Sequence, residues 1–256
     1  MRAFVFWLPL ISNAAIVCGA TEAPGAGSRA DAPDSEQVRK PVPQATAERV
    51  VALTNEFRRQ ESRAPVAVNG QLREAARDFA RYIADHRKMD HEADGNTPAT
   101  RARKHAYDYC IIAENLAYEY SSAGFTTEEL ARSLVEGWKH SPEHRKNLLQ
   151  PDVTETGVAV AGSNKPGYYY AVQMFARPKS LAIHFRIENR SGATIRYETG
   201  GQPWSLSPRQ TRSHQGCTLD ELKLNLSGKE MRIKPGNRDR YTIVQSDAHT
   251  LQLKKE

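Results

Sequence analysis

The 256-residue sequence is poor in the residues that break a compact fold. It has only 16 Gly and 14 Pro beside 39% hydrophobic and 26% charged residues, which excludes a collagen-like or wholly disordered chain. No internal repeat runs through it. There is no HExxH metal motif, no serine, cysteine or threonine in an activating motif, and no recognition helix, RNP-type aromatic pair or zinc finger. Nucleic acid is therefore not an expected partner. Cationic excess is also absent from most of the chain: residues 1–44 hold four basic and four acidic side chains, residues 45–178 hold 18 of each, and residues 179–256 hold 14 against 8. The whole net charge of +6 sits in the last third. Since single cores usually stop growing at about 250 to 300 residues, the length fits one large domain or two ordinary ones.

Arg2 precedes the one long apolar run, residues 3–20, which is broken by Pro9, Ser12 and Asn13 and ends in Cys18 and Ala20 at the minus three and minus one positions. This predicts a secretory signal peptide over residues 1–20 and a secreted or periplasmic protein. The alternative is an uncleaved anchor, for which the run is at the short end of the roughly 17 to 25 residues needed to span. Residues 21–44 are rich in Ala, Pro, Gly and Ser without apolar period, which predicts a disordered linker. Cleavage leaves two of the three cysteines, Cys110 and Cys217. A disulfide and two buried free thiols are both open.

Residues 45–178 read as helices followed by a hairpin. Val50, Val51, Leu53, Thr54 and Phe57 recur at helical spacing behind Thr46, a candidate cap. Asn69 caps a second helix whose Leu72, Ala75, Ala76, Phe79, Ala80 and Ile83 trace one face. A third runs from about Thr127 to Trp138, and Ser141-Pro142 opens a short fourth. Beyond Pro151 the period changes to that of strands: Gly157 to Val160, a turn over residues 162–167, then Tyr168 to Phe175. Helices on a small antiparallel sheet make an α+β layer architecture.

Four stretches in order carry a resemblance. They are Asp90-His91-Glu92-Ala93-Asp94-Gly95 before Arg101, Ala113-Glu114-Asn115-Leu116-Ala117, residues 138–149 (WKHSPEHRKNLL), and Gly157-Val158-Ala159-Val160 with the closing Tyr170 to Phe175. Over residues 45–178 the chain resembles the bacterial branch of the CAP superfamily (SCP/TAPS; cysteine-rich secretory, antigen 5 and pathogenesis-related 1 proteins). The resemblance implies an α-β-α sandwich with a central cleft of two histidines and one or two glutamates, which map onto His91, Glu114 and His144. Its members are mostly described as binding proteins. Plant and animal members place a second glutamate one helical turn after the tryptophan matched by Trp138; this chain has Ser141 there, and Glu136 and Glu143 are the nearest substitutes.

Taken by themselves, His91 and Glu114 are 23 residues apart and Glu114 and His144 are 30 apart, so only the fold can bring them together. If it does, three readings are open: a Zn2+ or other metal site of two imidazoles and a carboxylate, a metal-free acid–base network, or a hydrogen-bonded polar cluster that orders the cleft. His86 and His105 fall at expected helix ends, His140 faces solvent, and Asn115 is expected to tie loop backbone together. Tyr168, Tyr169 and Tyr170 alternate across a strand. Core and edge packing is their expected role, and stacking on sugars is the alternative.

From Leu181 the period is two, and short alternating runs recur at Thr194 to Glu198, Leu222 to Leu226, Met231 to Ile233, Tyr241 to Gln245 and Leu251 to Leu253. Residues 179–256 are expected to form a small basic all-β domain, which a Cys110–Cys217 bridge would tie to the central one. The expected function is an exported, monomeric binding module at the cell envelope or outside the cell, engaging an envelope glycan, lipid or protein, with the basic domain favouring anionic surfaces. A metal-dependent hydrolase using His91, Glu114 and His144 is the alternative.

Overall fold

The computed structural model describes residues 39–218, 221–247 and 250–256. The expected signal peptide and most of the expected linker lie outside them. Helix α1 (Pro43–Gln60) begins inside the expected linker, with Pro43 in its first turn and Val42 at its N-cap. Thr46 does not cap it. Lying a full turn inside the helix, it is buried and returns its hydroxyl to Val42 O at 2.9 Å.

Strand β1 (Ala67–Val68) leads to α2 (Gly70–His86), whose N-cap Asn69 accepts from Leu72 N. Then follow α3 (Pro98–Lys104), β2 (Tyr109–Tyr120), α4 (Thr127–His140), α5 (Pro142–Leu148), β3 (Glu155–Gly162) and β4 (Tyr168–Pro178). Thr126 and Glu129 form a capping box at α4. The sheet runs in the order β1-β3-β4-β2, antiparallel except where β1 meets β3.

Both faces of this sheet are covered, which is why β4 reads as a nearly continuous apolar run. One face packs Val158, Val160, Ala171 and Phe175 against Val50, Leu134 and Trp138 of α1 and α4. The other packs Ala159, Val172 and Met174 against Leu72, Phe79 and Ile83 of α2. At Gly157 any side chain would run into the backbone of Leu72 and Arg73, so glycine lets the first turn of α2 lie directly on β3.

After Pro178 a single 3-10 turn, Lys179–Leu181, opens an all-β region with its own core. One of its sheets contains β5 (Ile183–Asn189), β8 (Thr211–Gly216), β11 (Arg240–Gln245) and β12 (Leu251–Lys255). The other contains β6 (Ile195–Thr199), β7 (Gln202–Leu206), β9 (Leu222–Leu226) and β10 (Lys229–Ile233). Phe185, Ile187, Tyr197, Leu222, Leu224 and Tyr241 fill the space between them. His214 of β8 sits in this aromatic layer, stacked on Phe185 and 2.8 Å from the Tyr197 hydroxyl through Nε2. The α+β layer and the all-β region belong to one compact unit, Val38–Glu256.

Among the described residues, joints beyond the chain itself help hold that unit together, these two among them. Lys179 N donates to Asp108 O at 3.0 Å. Cys110 at the start of β2 and Cys217 just after β8 are a disulfide, 107 residues apart. Closing a loop that long stabilises by roughly 4 to 5 kcal/mol through the entropy it removes from the unfolded chain. Replacing both cysteines with serine is therefore expected to lower the urea-unfolding free energy by about that amount. An unchanged midpoint and slope would show that the bridge adds nothing.

Candidate functional site

The site is built around the free edge of β2, the outermost strand on its side of the sheet. Successive residues of a strand face opposite ways. Glu114 therefore points toward α2 and α3, and its neighbour Asn115 toward α5. Glu114 is almost wholly buried, with 1% of its side chain exposed. Burial of a carboxylate demands a partner. Arg101 of α3 supplies it: Nη2 lies 2.8 Å from both Oε1 and Oε2.

Both terminal nitrogens of that guanidinium are engaged further, while its Nε is buried without a hydrogen-bond partner among the described residues. Nη1 donates to Asp94 Oδ1 at 2.9 Å and Asn96 O at 2.6 Å, and Nη2 also donates to His91 O at 2.9 Å. The Phe79 ring lies beneath it, 3.5 Å from the Arg101 Cζ. His91 Nδ1 stands 2.8 Å from Glu114 Oε1, and its side chain is half exposed at 50%.

On the other side of the strand, Asn115 Nδ2 donates to His144 O, while Asn147 Nδ2 donates to Glu114 O and to Asn115 Oδ1. The backbone edge of β2 is thus closed by side chains of α5, and by Trp138, whose Nε1 donates to Leu116 O. Asn115 is not a loop residue as its sequence context suggested; it is fully buried inside β2 and ties that strand to α5.

The structure joins His91 to Glu114 and sets His144 near enough for the charge of His91 to act on it, but does not arrange the three as metal ligands. Among the described residues no group of three His, Cys, Asp or Glu side chains is placed to hold a metal ion. The physical reason lies in Arg101: both oxygens of Glu114 already accept from a permanent cation, which competes with any metal at that carboxylate. Because Glu114 accepts from Arg101, the proton shared with His91 belongs to the imidazole Nδ1. Glu114 thus orients His91 from behind, leaving Nε2 as the outward nitrogen. A Zn2+ site with Glu114 as a ligand does not fit these residues.

Ser141 ends α4 and starts α5. Neither proposed substitute restores a second cleft carboxylate. Glu136 is exposed and pairs with Lys139, and Glu143 acts on the cleft only through its charge on His144. His86 ends α2, His105 caps the C-terminus of α3, and His140 is exposed. Arg101 closes the first of the matching stretches, but the sequence assigned it no role. The structure places it on the buried side of α3, next to Ala102, which is also buried.

Residues 51–175 match the family described as CAP, the cysteine-rich secretory protein family. The match covers just under half of the chain and shows a CAP domain over those residues. YkwD of Bacillus subtilis is 29% identical over 116 residues, covering 45% of this chain and 42% of YkwD, so the chain spans less than half the length of that curated relative. Among solved structures, an outer surface protein of Borrelia burgdorferi is similar at 19% identity and a TM-score of 0.46, covering 52% of this chain and 93% of that one. An extracellular protein containing an SCP domain from Bacillus anthracis is similar at 23% identity and a TM-score of 0.43, covering 59% of this chain and 45% of that one. The site described above lies wholly inside the matched residues.

His144 is held below the ordinary histidine value of 6.5, first by burial and then by the charge of His91, with Glu143 pulling weakly the other way. His214 in the β region is also held below it, by burial and then by Arg212. For both, the unfolded chain takes up a proton that the folded chain refuses as pH falls through about 6.5, so stability present above that pH is lost below it. Urea midpoints are expected to fall between pH 7.5 and pH 6, and to fall less in a His144→Gln, His214→Gln double variant. Comparing the two proteins cancels Glu119, whose burial-raised carboxyl acts in the opposite sense. Equal pH slopes would show that these imidazoles are not shielded.

Proposed function

We propose that this is an exported binding module in which the cleft of His91, Glu114 and His144 receives a polar ligand at the cell envelope or outside the cell. The observation that supports it is the engagement of both Glu114 oxygens by Arg101. A carboxylate held this way shapes and orients; it is not free to ligate a metal or to serve as the second acid–base group a hydrolase of this type needs. What remains open to a ligand is the half-exposed His91 and, beside it, His144, whose burial favours the neutral imidazole. Imidazole nitrogens can donate or accept, which suits hydroxyl- or amide-rich ligands such as glycans. Export rests on the leader expected over residues 1–20 and on the disulfide, which belongs to an oxidising compartment.

The β region offers less to an anionic surface than its charge suggests. Arg190, Lys223, Arg232 and Lys255 are paired with Glu188, Glu198, Glu230 and Asp239, and Arg212 lies over Trp204. Attachment by that region is a weaker proposal than the cleft.

Sedimentation of the full chain with isolated cell envelopes tests the reading. The wild type is expected to pellet, and His91→Ala, His144→Ala to lower the pelleted fraction severalfold, with no response to a chelator. Turnover of envelope material that a chelator abolishes would overturn it in favour of a hydrolase.

A further inference from the structure

The two outer edges of the CAP sheet are treated differently. At β2 the outward carbonyls of Glu114 and Leu116 are taken by Asn147 and Trp138. At the opposite edge β1 covers only the first residues of β3, pairing Ala67 with Glu155 and Val68 with Thr156. Asn69 N donates to Thr156 O, and Ser163 N, at the other end, donates to Tyr168 O of the hairpin. Backbone groups alternate sides along a strand. Hence odd-numbered residues of β3 bond β4, and Val158, Val160 and Gly162 aim their N–H and C=O groups outward. There the chain of β1 has already turned into α2. Among the described residues no partner meets the outward groups of Val158 and Val160.

These groups open into a cavity of about 560 Å³ that runs along the strand. Its floor is every residue from Val158 to Gly162, which places it on the edge and not on one face of the sheet. It is closed at one end where α2 lies against Gly157. The two walls differ in chemistry. Pro43, Ala47 and Val51 of α1 make one wall, together with Gln44 and Glu48, which bond each other, and Arg73, Arg77 and Arg81 of α2 the other. Glu74 answers Arg77 and stands 3.9 Å from Arg73, while Arg81 has no ion-pair partner among the described residues.

We propose that this edge binds a peptide segment as an added β-strand, and that the segment alternates apolar and acidic side chains. A strand laid beside β3 satisfies its outward backbone groups and sends successive side chains to opposite walls. Those on the α1 side meet Ala47 and Val51; those on the α2 side meet the arginines. Five residues of edge, about 15 Å at the rise of an extended chain, accommodate a segment of about five residues. The surface lies at the opposite edge of the sheet from the cleft and does not depend on the cleft's function.

The test uses the full chain and a fluorescent hexapeptide alternating glutamate and valine. An alternating lysine–valine peptide and a block-ordered glutamate–valine peptide are the controls. Binding by anisotropy is expected only for the first, with slowed amide exchange at Val158 and Val160. Val160→Pro removes an N–H that β4 does not use, and is expected to weaken binding about tenfold, the scale of a lost hydrogen bond with its neighbouring contacts. Arg81→Glu, a surface change that leaves the fold alone, is expected to weaken it severalfold and to reduce its salt dependence. Failure of the alternating peptide to bind, equal binding of the lysine peptide, or equal binding by both variants overturns the proposal. So does a dimer of the free chain that Val160→Pro abolishes, which would assign the edge to a second copy.

Discussion

One buried guanidinium organises the candidate site. Arg101 is 4% exposed, and its four partners come from two parts of the chain: Asp94, Asn96 and His91 in the loop before α3, and Glu114 on the sheet. A loop that crosses from α2 to α3 has little apolar surface to fix it. Charge-assisted hydrogen bonds to a single planar fork fix it instead, because the fork's geometry tolerates few arrangements. Position of the His91 ring follows from that anchoring. Removing Arg101 alone would leave Glu114 charged and buried, a change of the kind that costs about 3 to 5 kcal/mol. The pair is thus a structural obligation as well as a constraint on chemistry.

That constraint also separates what the family match supports from what it does not. The match over residues 51–175 supports the layered fold. Function follows from how those residues are connected, and here the connection runs from guanidinium to carboxylate to imidazole. The carboxylate stands behind the histidine, as it does where an imidazole must keep one ring nitrogen protonated and present the other. The missing second glutamate is consistent with this arrangement, since Ser141 serves at the junction of two helices and contributes no charge to the cleft.

Much of the fold was legible where periodicity is strong. The apolar stripe of α2 and its Asn69 cap were read as they occur, as were the β3–β4 hairpin and the alternating β5. What escaped has physical causes. Strand β2 is long but mixes Glu114 and Asn115 into its middle, so it carries neither the alternation of a half-buried strand nor the apolar run of a fully buried one. Helix α3 is two turns long, too short for a period to show. Strands β7 and β8 are rich in polar and small residues and are held by pairing with β6 and β5 more than by their own apolar faces. The trio His91, Glu114 and His144 was found by its resemblance to a family. Its wiring was not, because the residue that decides it, Arg101, acts through distances that no spacing in the sequence encodes.

The account stands most directly on the tautomer of His91. Long-range nitrogen–proton correlation on the uniformly labelled chain near neutral pH distinguishes the two ring nitrogens of a neutral imidazole. If Arg101 keeps Glu114 an acceptor, His91 carries a proton on Nδ1. A neutral His91 protonated on Nε2 would mean that Glu114 does not accept from it, and would contradict the account.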